Sequence, residues 1–75
     1  MSARTAIEGI GRVREIVKTG LYRVEMPNGH IILAFLGKRQ ANLVDRLTKG
    51  VQVAVFLTPF DMSKGKILRI LEEKI

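Results

Sequence analysis

Turn signals cut this chain into pieces that suit strands and leave room for little else. They recur at Lys18-Thr19-Gly20, Pro27-Asn28-Gly29, Gly37, Lys49-Gly50 and across Pro59 to Gly65. The segments between them are rich in Val, Ile and Leu, the composition of strands bounded by turns. Val51, Val53, Val55 and Leu57 alternate with their neighbours, as a half-buried strand requires.

The same reading extends along the chain. Ile7 to Val17 is a long strand whose apolar positions change parity near Gly9 and Gly11. Glycines at a parity change predict a bulge or sharp bend, as when one strand serves two sheets of a barrel. Leu21 to Met26 places Tyr22, Val24 and Met26 on one face, with Arg23 and Glu25 on the other. Asn28-Gly29 is a strong hairpin signal, and His30 to Leu36 forms the return strand. Lys38 to Leu47 is the one helix-like stretch, with Leu43, Val44 and Leu47 at helical spacing. Thr58 to Gly65 reads as a loop in which Asp61 and Ser63 form turns, and Ile67 to Leu71 as a last strand. Met1 to Ala6 is a polar, flexible lead-in, and Glu72 to Ile75 a tail to which the pattern assigns no state.

The sum is one all-β domain over residues 1–75: five strands, with a short helix between the third and fourth. That order is expected of an OB-fold barrel, with an SH3-like barrel as the alternative. Without cysteine there is no disulfide or thiolate metal site, and the single histidine, His30, excludes a histidine-based metal cluster. No stretch reaches the ~20 apolar residues of a membrane span, and no secretory signal is read at the N-terminus. The expected location is the cytoplasm.

Charge points to the partner. Thirteen Lys and Arg against seven Asp and Glu leave a net charge of +6. On so small a domain this is the footprint of a nucleic-acid binder, against the plainer reading of a solubilising surface. Enzyme readings find little support. Glu8, Glu15 and Glu25 form no paired-carboxylate spacing, and Gly9-Ile10-Gly11 lacks the third glycine and following helix of a phosphate loop.

Two runs carry a resemblance to a known family. The first is Tyr22-Arg23-Val24-Glu25, then Asn28-Gly29-His30, Ala34 and Gly37-Lys38. The second, more specific, is the unbroken Leu57-Thr58-Pro59-Phe60-Asp61-Met62-Ser63-Lys64-Gly65-Lys66-Ile67. Together they resemble bacterial translation initiation factor one. The resemblance implies an OB-fold barrel without a cofactor, acting at the aminoacyl-tRNA site of the small ribosomal subunit. It implies contacts with ribosomal RNA and action alongside the other initiation factors. The family carries a basic stretch after Gly-Lys, where Gln40-Ala41-Asn42-Leu43 and Asp45 stand here. It also ends on an aromatic residue followed by arginine, an order that Arg69-Ile70 reverses.

RNA binding on a barrel takes cations along a backbone track and flat side chains for stacking. The candidate cations are Arg23 on the second strand, Lys38, Arg39 and Arg46 beside the helix, Lys64 and Lys66 near the last turn, and Arg69. His30 is either a turn residue or an RNA contact. Phe35 has two readings. A two-residue Asn-Gly turn pairs it with Tyr22 in the core, whereas the family register turns it outward as a stacking platform. Phe56 should face outward beneath the tail around Leu68 to Leu71, and Phe60 should plug the barrel end. Two rival functions remain: a general single-stranded RNA binder or RNA chaperone, and a protein-interaction module using Leu33, Phe35 and Phe56. The expected state is a monomer that touches no membrane.

Overall fold

A computed structural model describes residues 7–58 and 61–72. The elements follow in the order β1(Ile7–Lys18), β2(Leu21–Glu25), β3(Ile31–Leu36), the 3-10 helix η1(Lys38–Arg46), β4(Gln52–Thr58) and β5(Asp61–Glu72). The strands close into a barrel in the spatial order β1-β2-β3-β5-β4. Neighbours are antiparallel except β3 and β5, which run parallel. This is the five-stranded all-β barrel, with its helix between β3 and β4, that the turn spacing predicts.

Closure depends on β1. Its first half, Ile7 to Arg12, pairs with β4, and its second half, Arg12 to Lys18, pairs with β2. One strand thus serves two sheets, as the parity change predicts, but the bulges do not fall at the glycines. The β1–β2 register shifts between Val13 and Glu15 and again between Ile16 and Lys18, while Gly9 and Gly11 lie in an unbroken ladder with β4. The glycines serve close packing instead. A Cβ on Gly11 would come 2.5 Å from Val24 Cγ1 and 2.9 Å from the Glu25 carbonyl oxygen.

The β2–β3 hairpin corrects a second expectation. Its loop has three residues, Pro27-Asn28-Gly29. The Gly29 N–H donates to the Met26 carbonyl at 2.8 Å, and the Met26 N–H donates to the His30 carbonyl at 2.8 Å. Gly29 takes a positive φ of 88°, which completes a type I turn plus bulge. The added residue sets Tyr22 opposite Ala34, not Phe35. Because side chains alternate with period two, Phe35 then points outward.

The chain after β4 also differs from its sequence reading. Asp61, Ser63 and Gly65 lie within β5 rather than in a loop, and β5 runs on to Glu72, absorbing the start of the expected tail. Thr58 pairs with Asp61 at the start of β5. Met1 to Ala6, Pro59, Phe60 and the last three residues lie outside the described residues.

The core is built from the inward faces of all five strands, with Val13, Tyr22, Val24, Ile32, Val55 and Ile67 among its fully enclosed members. Leu47, just beyond η1, plugs the barrel as a buried residue, while η1 itself buries none. Gly11→Ala tests the close approach of β1 to β2. Overpacking there should cost about 1–3 kcal/mol, and each kcal/mol lowers the Tm of a domain this size by about 4–8 °C. An unchanged melting curve would show that the neighbours yield freely.

Candidate nucleic-acid interface

The parallel β3–β5 seam gathers several of the candidate residues on one outer face. Outward residues of β3 stand beside outward residues of β5: Leu33 opposite Lys64, and Phe35 opposite Lys66. Phe35 is 46% exposed. On its β2 side it neighbours Leu21, and Arg23 stands opposite Leu33. The structure therefore decides between the two readings of Phe35 in favour of the outward one.

Lys66 links this face to η1. A Cβ on Gly37 would meet Lys66 Cε at 2.7 Å and Nζ at 3.2 Å, so the lysine stem crosses the residue that precedes the helix. A larger residue there would push that flexible stem aside. The ammonium group arrives where Lys38 and Arg39, both exposed, begin η1. Lys38, Arg39, Lys64 and Lys66 form no ion pair with a described carboxylate. Phe35 and this group combine a flat apolar surface with uncompensated cations, the pairing that single-stranded nucleic acid needs.

The remaining candidates lie apart or are compensated. Arg23 Nε donates to Glu15 Oε1 at 2.9 Å, and Arg69 Nη2 donates to Glu8 Oε2 at 2.6 Å. Both arginines therefore spend charge on β1 glutamates, and Arg69 faces that wall rather than the seam. His30 lies at the opposite end of β3 from Phe35, about 16 Å along the strand. Its backbone N–H donates to Asn28 Oδ1 at 2.9 Å, in accord with a turn role. Arg46 ends η1, about 16 Å from Lys38 at the rise of a 3-10 helix, and is engaged within the chain.

Phe56 faces outward as expected and is 41% exposed, so it is only partly covered. It stands between Glu8 of β1 and Lys66 of β5. Lys66 is thus flanked by Phe35 on one side and Phe56 on the other, which breaks the apolar patch that the interaction-module reading requires. Sequence reasoning passed over Arg12, Arg14 and Lys49, all exposed. The signal was the Arg12-Val13-Arg14 spacing, which sets both arginines on the face opposite a buried valine. Among the described residues no group of three His, Cys, Asp or Glu could hold a metal ion, and no helix is long and apolar enough to cross a membrane.

A closed five-stranded barrel with a helix between β3 and β4, and an aromatic-cationic outer face on β2-β3-β5, has OB-fold architecture. Among solved structures, the chain is similar to the solution structure of translation initiation factor one from the Wolbachia endosymbiont, strain TRS, of Brugia malayi. The TM-score is 0.72 at 26% sequence identity, covering 95% of this chain and 84% of that one. The likeness to bacterial translation initiation factor one read from the two sequence runs thus extends to the fold. No protein-family model matches the chain.

Two substitutions test the face. Phe35→Ala should weaken single-stranded RNA binding by about 1–3 kcal/mol, the range for loss of one stacked base, and leave the melting temperature near that of the parent. Binding unchanged in a fluorescence titration would remove Phe35 from the interface. Lys38→Ala with Arg39→Ala should flatten the plot of log K against log salt by about 1.4, at about 0.7 per phosphate contact on a single strand. Arg23→Gln and Arg69→Gln should change that slope less, because Glu15 and Glu8 already compensate them.

Proposed function

We propose that this chain is a translation initiation factor that binds the small ribosomal subunit near the aminoacyl-tRNA site. It acts through ribosomal RNA, in the cytoplasm, as a monomer without a cofactor, and it assists the other initiation factors. The observation that carries this reading is the β3–β5 seam. Phe35, Lys64 and Lys66 meet there on a barrel similar to an initiation factor, and Lys38 and Arg39 extend the same face. Phe35 stacks on an unpaired base, the lysines follow the backbone, and Arg39 is suited to lying flat on a base or forking onto a phosphate. Contact with about 4–6 phosphates corresponds to a salt slope of about −3 to −4 on a single strand.

No step of this function needs a reacting group. The protein would occupy a site by shape and charge, and the rigid barrel keeps the seam residues in place before the RNA arrives. Such preorganisation lowers the ordering cost of binding.

Co-sedimentation with purified small ribosomal subunits, in the presence of excess competing single-stranded RNA, tests the proposal. The expected outcome is that the protein pellets with the subunit despite the competitor, and that Phe35→Ala with Lys38→Ala and Arg39→Ala abolishes pelleting. Complete removal by free RNA would defeat the initiation-factor reading. The general RNA binder, supported by the same aromatic-cationic face, would then take its place.

A further inference from the structure

β1 carries a second group of cations that the Phe35 face does not use. In the barrel order, β1 is separated from β3 by β2 and from β5 by β4, so it forms the wall opposite the β3–β5 seam. Arg12 and Arg14 project from this wall on either side of buried Val13. The turn before β4 is tied to the same place. The Val13 N–H donates to the Val51 carbonyl at 2.9 Å, and the Gly50 N–H donates to the Val13 carbonyl at 2.8 Å. This ladder brings Lys49 beside Arg14.

The cations are held in a built setting. Arg12 Nη1 donates to the Gly50 carbonyl at 2.7 Å, which fixes its guanidinium against the turn. Arg14 meets Glu25 Oε1 through Nε at 2.7 Å. Two concavities share Arg14. One, of about 330 Å³, lies over Gly11 between Arg12, Arg14 and Glu25, with Ile10, Met26 and Pro27 forming its apolar side. The other, of about 360 Å³, lies between Arg14, Lys49 and Gly50. Glu25 compensates Arg14 as Glu15 compensates Arg23, so the net positive charge at these hollows comes from Arg12 and Lys49.

We infer that the Arg12-Arg14-Lys49 wall is a second RNA site, which takes the phosphate backbone of a separate RNA segment while the Phe35 face holds the first. Phosphate is the chemistry that fits: Arg12 and Lys49 supply net positive charge, no exposed aromatic residue among the described residues borders the hollows, and the Arg12 guanidinium is held on the Gly50 carbonyl. This wall therefore reads backbone and not bases. The protein bridges two RNA segments across the width of one barrel. The inference rests on the RNA-binding reading of the seam.

A capture experiment tests it. A biotinylated single-stranded RNA is immobilised, saturated with the full chain and washed. A fluorescent, non-complementary RNA is then added. The unmodified protein should retain the second RNA. Arg14→Gln with Lys49→Gln should leave affinity for the first RNA within about twofold, and reduce capture of the second by at least about tenfold, as expected for loss of a charge-assisted contact. Arg14→Lys with Lys49→Arg keeps the charges and should restore much of the capture, which separates charge from folding.

Second capture unaffected by the glutamine pair would overturn the inference. So would parallel loss of both RNAs, which would mean one continuous site, or displacement of the second RNA by polyglutamate but not by polyphosphate, which would mean an acidic protein partner. If the unmodified protein retains the first RNA and no second, this inference alone fails. If it retains neither, the RNA-binding reading fails with it.

Discussion

Everything in this barrel hangs on β1 serving two neighbours. A sheet of five short strands closes only when one strand leaves one partner and joins the other. Here Arg12 is the crossover, with Gln52 on one side and Glu25 on the other. The approach of β1 to β2 is close enough that Gly11 leaves no space for a methyl group, and the bulges that follow turn the strand toward Lys18. Closure in turn sets β3 beside β5, and that seam positions Phe35, Lys64 and Lys66. The aromatic-cationic wall is thus a product of geometry imposed on the far side of the molecule.

Much of this was legible in the residues. Alternation at Val51 to Leu57 and at Tyr22 to Met26 names both the strands and their buried faces, because a half-exposed sheet leaves a period-two trace. The helix-like spacing of Leu43, Val44 and Leu47 marks η1, although not its 3-10 winding. What failed to show was register. His30 to Leu36 is apolar on both faces, so nothing in its pattern says which way Phe35 points. A single residue in the Pro27-Asn28-Gly29 loop decides that. Pairing also hid the start of β5. Asp61, Ser63 and Gly65 have the composition of a loop, yet tertiary pairing with β4 and β3 draws them into a strand.

The candidate site was legible as a list of cations but not as an arrangement. Which charges remain available is settled by contacts between distant parts of the chain. Arg23 meets Glu15 and Arg69 meets Glu8 across strand pairs, so two basic residues that look alike in sequence to Lys64 and Lys38 carry little net field. Such exposed pairs add only about 0–1 kcal/mol to stability. Their larger effect is to shape where the surface is positive. Arg12 and Arg14 escaped notice for the converse reason, since the glycines beside them dominate the reading of β1.

The parallel pairing of β3 with β5 also bears on the order in which the protein acquires its parts during synthesis. Leu33 must wait for Lys64, roughly thirty positions later, before the seam exists. A chain that has emerged only as far as β4 has Phe35 in place but neither of its flanking lysines nor the strand that joins β3 to β4. Such non-local pairing forms late, because loop closure precedes any gain from contact. An incomplete chain therefore lacks the seam, and its aromatic-cationic face arises in one step with the closing of the barrel.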